Sequence, residues 1–516
     1  MGEIIALVHS EHDSIESFFN QVLSAEERAH VGILSFNQWP FALAGVVEIA
    51  LGARDAGSAV SIGLWADKTP VRDSGWSTSH AVAKLLRTSP IDLQVRTAML
   101  SSGFSPSDFV PPPLSGWQPR DLPPVKRRIT RSEVRALTYH GAGMGRAILQ
   151  VHPDSRTPFR EDYVWPRRWV RVASKSFAWV YDQTRALIER NEITTLVVFN
   201  GRFLHDQAAA AAAQSLGVRV LYGETGGIET NFDVTTVSTH EMEHVQSRML
   251  DIYSHWPDSH GEDRSKQEIG REWFLNRQSH SDPEVQLFVG GQEFGDLGEV
   301  SRIPAEQELV VFFSSSGDEI AELELDWHKF FVSQDNALAE LASVCRDRPN
   351  TTLVVRTHPH LRIKPADDLA VWTMAIERAG VAVHVGPEST VDSYALMKRA
   401  DVVVTYGSTS GVEAAFLDRP SILMGPSAYN SLGCAVPVST REELSKALDN
   451  KVIANSELTY PYGLFLHRRG LYFHYLAGTT ETELSLNGIV ISDASEWARK
   501  ISHVMHNRLT RWYTSK

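Results

Sequence analysis

Residues 405–420 read "TYGSTSGVEAAFLDRP". A valine-rich run, 401–404, leads into them, and "SILMG", 421–425, leaves them. An apolar run, a small polar loop, a helix-compatible run, a proline and a second apolar run spell a strand–helix–strand unit of a parallel sheet. The loop falls at the carboxyl end of its strand, where open α/β sheets bind ligands. Gly407 and Gly411 permit unusual dihedrals and close backbone approach. Ser408, Thr409 and Ser410 set hydroxyls beside free N–H groups at a helix start, a combination that suits a phosphate. Ser410 to Glu413 also spells S-x-x-E, a capping box that requires no ligand. The stretch supports both readings.

Outward from this loop the same grammar repeats. A strand near Leu309, a helix over 335–346, strand "TTLVVRTHP", a helix over 366–379, "VAVHVG", a short helix and "DVVVTYGS" predict a doubly wound α/β domain. Two further strand ends are polar. "RTHPH" (356–360) offers the Arg356 fork for phosphate or carboxylate, with His358 and His360 beside it. "FFSSSGDE" (312–319) offers Ser314 and Ser315, though a plain turn before an acid-capped helix explains it equally. Three polar strand ends at one sheet edge carry more weight than any one of them.

The N-terminal half repeats the pattern. "VGILSF" (31–36), "AVSIGLWA", "TLVVFN" (195–200) and "VRVLYGE" (218–224) read as strands, separated by helices that include an alanine-rich one over 206–216. "FNGRFLHDQ" puts Asn200 and Arg202 at a strand end, and "YGETGG" puts Glu224 at the next. Asp206 and Glu224 are candidate general bases, while Asp206 also suits a helix start on dipole grounds. "YHGAGMG" (139–145) is glycine-rich, with Gly141 and Gly145, but no strand precedes it. Residues 108–130 are proline-rich and predict a long loop. Residues 280–306 are polar, acidic and aperiodic, and predict a domain boundary. Residues 493–512 are amphipathic and predict a helix.

Composition bounds the function. A chain of 516 residues has room for two to four domains. Its net charge of −13 argues against a general nucleic-acid binder, which needs a basic surface. Cys345 and Cys434 are the only cysteines, so a reducing compartment fits. The start "MGEIIALVHSEHD" has no basic n-region, and no apolar run of about 18 residues exists. The expectation is a cytoplasmic protein, compatible with peripheral contact at the inner face of the membrane. "HEMEH" (240–244) matches the zinc signature H-E-x-x-H, but what precedes it is strand-like and no third ligand stands out, so no metal is expected. "FLHRRGLYFHY" (465–475) interleaves basic and aromatic residues. It suits either an anionic lipid head or glycan, or an irregular packed segment.

Together "YHGAGMG", "FNGRFLHDQAA", "YGETGG", "FFSSSGDE", "RTHPH", the stretch from Val391 to Gly425 and "HRRGLYFHY" resemble the bacterial capsule-polysaccharide biosynthesis family of glycosyltransferases, over roughly residues 135–475. The resemblance implies an α/β chain of GT-B type, with two Rossmann-like doubly wound domains facing a cleft. It implies an acceptor domain over 1–290, a sugar-nucleotide domain over 300–480 and a C-terminal helical segment over 481–516. The partners implied are a nucleotide-sugar donor and a glycan or glycolipid acceptor, with no nucleic acid, cofactor or bound metal. On this resemblance Ser408 to Ser410 and Gly407 cradle the donor phosphate, and Glu413 holds a ribose hydroxyl. Ser314, Ser315, Arg356, His358 and His360 complete the donor site, with Arg356 and His358 neutralising the leaving group. Asn200, Arg202, Gly141 and Gly145 fall to the acceptor. Glu224, or else Asp206, deprotonates the acceptor hydroxyl. A sugar-nucleotide epimerase of similar architecture and a non-catalytic glycan- or nucleotide-binding protein are the rival expectations.

Overall fold

The computed structural model describes residues 14–36, 39–66, 68–69, 91–151, 164–227, 231–239, 241–256, 264–281, 289–315, 330–363, 366–478 and 483–491. The chain divides into two units. The first draws on residues 1–155, 160–240 and 468–516, the second on 156–159 and 241–467. The break therefore falls at 240, not at the boundary expected within 280–306. That polar stretch is tied into the second unit by bonds that hydropathy does not register. The N–H of Gly295 donates to the Asp392 carboxylate at 2.8 Å, and the N–H of Glu293 donates to the carbonyl of Thr390 at 2.8 Å.

Twelve strands build two sheets: β1 (His30–Ser35), β2 (Ala59–Leu64), β3 (Thr195–Phe199), β4 (Arg219–Thr225), β5 (Asn231–Thr235), β6 (Glu308–Phe313), β7 (Thr351–Arg356), β8 (Val383–Val385), β9 (Val402–Thr405), β10 (Ser421–Leu423), β11 (Val436–Pro437) and β12 (Leu471–Tyr472). The first unit has the order β12-β5-β4-β3-β1-β2, parallel from β4 to β2, with β5 antiparallel to β4 and β12 antiparallel to β5. The second has the order β11-β10-β9-β6-β7-β8 and is parallel throughout. Both units are thus α/β, as expected. Leu309 to Phe313 of β6 are all buried, which is why the strand reads as an unbroken apolar run.

Helix α1 (Pro40–Asp55) starts with proline at its first turn, where a missing N–H costs nothing. Its Glu48, which interrupts the apolar run in the sequence, is fully buried. It accepts the N–H groups of His474, Tyr475 and Leu476 at 3.0, 2.8 and 2.7 Å. Burial pushes its carboxyl up, and the three bonds act against that. This clamp holds the returning chain in the first unit, where Leu471 and Leu476 are buried and Tyr472 stays exposed. Helix α2 (Arg167–Asn191) and helix α3 (Leu204–Ser215) pack together. The alanines of α3, with Ala208, Ala209, Ala212 and Ala213 fully buried, allow the close approach.

The proline-rich loop is a loop, strapped along α2. Gln183 bonds both the N–H and the carbonyl of Leu114 (2.7 and 3.0 Å), and the Trp117 indole donates to Asp182 at 2.7 Å. Of the segment expected to be helical over 481–516, the described part forms a ribbon of Ser485–Leu486 against Ile489–Val490. The amphipathic stretch 493–512 lies outside the described residues. In the second unit the helices that matter for the site are α4 (Met242–His255), α5 (Lys266–Gln278), α6 (Gln334–Arg346), α7 (Ser393–Arg399) and α8 (Ser410–Phe416).

Candidate functional site

In the second sheet the strand order reverses at β6, with β7 on one side and β9 on the other. Ligands of open α/β sheets bind outside the carboxyl ends at such a point. Ser314 and Ser315 leave β6 there. The Ser314 hydroxyl accepts the N–H of His358 at 2.8 Å, joining β6 to the end of β7. The Ser315 hydroxyl donates to the carbonyl of Tyr406 at 2.5 Å, joining β6 to the end of β9. Its N–H donates to Gln334, the first residue of α6, at 2.5 Å. Both serines are buried, and they hold the three strand ends in register.

The loop after β9 is built around two glycines, each required by the packing. Gly407 has φ +80°, and a Cβ there would lie 2.3 Å from the carbonyl oxygen of Pro426. At Gly411 a Cβ would lie 2.3 Å from the Tyr429 hydroxyl, which donates to the carbonyl of Ser408 at 2.6 Å. The N–H groups of Gly407, Ser408 and Thr409 donate to no backbone or side-chain acceptor among the described residues. Ser408 and Ser410 bond each other at 3.2 Å and stay part-exposed, as does Thr409.

The expected capping box does not form. Thr409 occupies the N-cap of α8 in helical conformation and makes no side-chain cap bond. Glu413 turns away from the helix start into the interior, 5% exposed. Its Oε1 accepts from the Arg277 guanidinium of α5 at 2.8 Å and from the Tyr394 hydroxyl of α7 at 2.9 Å. Burial, and then the neighbouring Glu413 charge, raise the Tyr394 hydroxyl well above its usual range. The Arg277 guanidinium also stacks over Trp273, 4.6 Å from the ring centre. Both bonds fall on Oε1, so Oε2 has no hydrogen-bond donor among the described residues.

Arg356 behaves differently from the fork the sequence suggests. It is 1% exposed and points into the turn after β8, where it donates to the carbonyl of Gly386 and, at 3.4 Å, to Ser393. Burial pushes its guanidinium down to about 10, against the pull of Asp392. Its Nη2 is buried with no partner among the described residues. His358 is half-buried beside Ser314, and for His360 the structure describes the backbone only, in the turn Pro359–Ile363. His384, absent from the sequence reading, bonds Thr357 at 2.8 Å, and burial lowers its imidazole, with Arg356 adding to that.

In the first unit the strand order reverses at β1, between β2 and β3. Asn200 follows β3 with φ +28°, a strained value for a non-glycine residue. Its side chain accepts the N–H of Arg202 at 2.8 Å and bonds Glu224, which ends β4. Glu224 is half-buried and accepts from the N–H and hydroxyl of Thr225 at 2.8 and 3.2 Å. Burial pushes its carboxyl up, and the Thr225 bond and the Arg469 charge act against that. Asp206 lies in the first turn of α3 at 1% exposure, where no solvent-borne group reaches it. Gly145 packs its helix against the carbonyl of Val134, 1.8 Å from where a Cβ would sit, while Gly141 has φ +83° with open space around it.

His240 of the zinc-like motif lies outside the described residues, and His244 rides on α4. No group of three or more His, Cys, Asp or Glu side chains gathers among the described residues. No described helix is long and apolar enough to cross a membrane.

Residues 316–460, which carry "RTHPH", β9 and α8, match the family described as capsule polysaccharide biosynthesis protein. Solved structures similar to the chain include KpsC, beta Kdo 2,4 transferase, of Thermosulfurimonas dismutans, at 12% identity, covering 62% of this chain and 87% of that one, with a TM-score of 0.35. The beta Kdo 2,7 transferase KpsC of the same organism gives 15%, 55%, 80% and 0.30. The UDP-GlcNAc 2-epimerase of Neisseria meningitidis bound to UDP-GlcNAc gives 9%, 93%, 99% and 0.27. No curated protein matches the chain in sequence. The capsule-biosynthesis segment contains Arg356, His358 and Gly407 to Glu413. Ser314 and Ser315 lie just before it, and Arg277 lies well outside it. Arg277, Tyr394, Tyr429 and Gln334 are the partners that sequence reasoning missed: each meets the loop or strand ends across a separation that no local pattern signals.

Proposed function

We propose that the protein is a metal-independent glycosyltransferase of the GT-B type in capsule polysaccharide synthesis, taking a nucleotide-activated sugar at the loop Gly407–Ser410. The observation that carries this reading is the run of three N–H groups, Gly407 to Thr409, left without acceptors among the described residues at the reversal of strand order. It lies inside the segment that matches the capsule family. Consecutive free N–H groups form a concavity for an anion, and the donor's diphosphate is the anion in such a reaction. Hydroxyls of Ser408, Thr409 and Ser410 flank the phosphate. Glu413, held through Oε1, turns Oε2 to a ribose hydroxyl. His358, with His360 after it, donates to the leaving phosphate as charge develops. Arg356 serves as a brace that orients the strand end carrying His358.

The first unit supplies the acceptor site and the base. Glu224 takes the proton of the acceptor hydroxyl. The acceptor oxygen bonds to the anomeric carbon, and the bond from that carbon to the phosphate oxygen breaks, its electron pair leaving with the nucleotide. A carboxyl raised by burial is a stronger base than an exposed one, nearer the working pH. Asn200 and Arg202 adjoin Glu224 and contact the acceptor, which is a growing glycan or glycolipid.

Thermal melting with UDP, CMP, CDP, GDP and dTDP tests the donor site. One of them should stabilise the fold by about 2.7 kcal/mol at a hundredfold excess over its Kd. Incubation of the matching sugar nucleotide with capsule oligosaccharide should then give an extended glycan. A free altered sugar, or no product, would overturn transfer.

A further inference from the structure

The first unit carries a groove that the donor and base sites do not use. Its volume is about 730 Å³, and six cations line it: Arg127 and Arg128 from the loop, and Arg167, Arg168, Arg171 and Lys175 from the first turns of α2. No acid lines it. All six are exposed in a chain whose net charge is −13. Arg127, Arg128, Arg171 and Lys175 enter no ion pair or hydrogen bond among the described residues, whereas the neighbouring Lys126 is neutralised by Glu133 at 2.6 Å.

The placement runs against the stability of the helix. The N-terminus of a helix is its positive end and favours acids. The first turn of α2 has none, and its N-cap, Pro166, makes no side-chain cap bond. Arg168, Arg171 and Lys175 follow a spacing of three and four, so they share one face. At 1.5 Å per residue they span about 10 Å, a row rather than a point. Arg127 and Arg128 face the same space from a second element, which makes the site concave.

We propose that this groove binds a run of an acidic polysaccharide, its guanidinium forks pairing with successive sugar carboxylates. A planar guanidinium matches a carboxylate with two parallel bonds and is weakly hydrated, so a row of arginines suits a row of carboxylates. A bilayer fits the shape less well. Membrane-surface helices present a convex face with exposed aromatic residues. Here Trp165, which lines the groove, and Trp169 next to it on α2 are 1% and 3% exposed and serve the core. A single nucleic-acid strand needs exposed rings on which bases stack, and among the described residues the groove's one ring is that buried tryptophan. The inference rests on the capsule reading only in choosing a glycan among polyanions, and it requires no transfer.

The test is calorimetric titration of the full chain with a short oligogalacturonate, a neutral maltooligosaccharide of equal length, phosphatidylglycerol vesicles and a single-stranded DNA oligomer. The oligogalacturonate should bind, more weakly as salt rises, and the neutral chain should not. The pairs R171E/K175E and R127E/R128E should each lower that affinity roughly tenfold while melting as wild type, since exposed charges add little to stability. Wild-type affinity in both variants, no binding of oligogalacturonate, or tighter binding of vesicles or DNA through these cations would overturn the proposal. Nucleotide binding at Gly407–Ser410, measured on the same samples, should be unchanged by these variants. A wild-type chain that binds nucleotide but not oligogalacturonate would therefore refute the groove alone, and one that binds oligogalacturonate but no nucleotide would refute the donor site alone.

Discussion

Replacing Glu413 with glutamine removes one charge from a buried pair while leaving its shape. The side chains of Arg277 and Glu413 are 10% and 7% exposed, and Oε1 takes two bonds, at 2.8 Å from Arg277 and 2.9 Å from Tyr394. Bonds to a charged group contribute about 1.5–3 kcal/mol each, and neutral ones about 0.5–1.5. Glutamine keeps an acceptor, so the two bonds together should weaken by about 2–3 kcal/mol. Glu413→Ala should cost more, about 3–5 kcal/mol, because Arg277 is left buried without a counter-charge. Arg277→Met combined with Glu413→Leu should recover most of that loss, since replacing both partners by apolar groups is often neutral. Urea unfolding of the three variants measures these differences, and calorimetric titration of the donor nucleotide measures the second duty. Folded Glu413→Gln should bind the nucleotide more weakly, because Oε2 has become an amide. Glu413→Ala within about 0.5 kcal/mol of wild type, or a double variant no more stable than Glu413→Ala, would refute the buried network. Unchanged nucleotide affinity would remove Glu413 from the donor site.

Gly407→Ala should cost more than about 2 kcal/mol, from the left-handed backbone and the approach to the Pro426 carbonyl, and should abolish donor binding in whatever folds; native melting would show that the loop relaxes freely. Glu224→Gln should lower turnover about 100- to 10,000-fold, and the acid limb of the wild-type rate profile should lie above the ordinary carboxylate value of about 4.3. Because the folded carboxyl of Glu224 is raised above its unfolded value, its contribution to stability is full below the unfolded value and is lost as pH rises through the folded one. Glu224→Gln should therefore melt no lower than wild type at neutral pH, and wild-type turnover in this variant would exclude Glu224 as the base. Glu48→Ala leaves the N–H groups of His474, Tyr475 and Leu476 without their acceptor, at about 1–3 kcal/mol each where buried. Its urea midpoint should fall markedly, and an unchanged midpoint would show that the clamp does not hold the returning chain.

Periodicity and punctuation in the sequence settled the class of both sheets. The apolar runs 309–313 and 402–405 are buried on both faces, so they read as strands without any tertiary knowledge. Gly407 was legible as a special residue, since only glycine adopts its φ without strain. What Glu413 does was not legible. "S-x-x-E" is a local pattern, and locally it predicts a cap. The tertiary structure brings Arg277 and Tyr394 to the carboxylate, and a buried charge bonds the nearest cation before it bonds an N–H group. Arg356 likewise follows a strand end as a ligand-binding arginine does, yet packing turns it inward to Gly386. The extent of the first unit escaped the sequence because it depends on Glu48 meeting residues 474–476, more than 400 positions away. Local pattern determined the elements and the loops at their ends. Only the fold decided which charges meet, because burial sets the strength of a charge's partner and no stretch of sequence states what will be buried beside it.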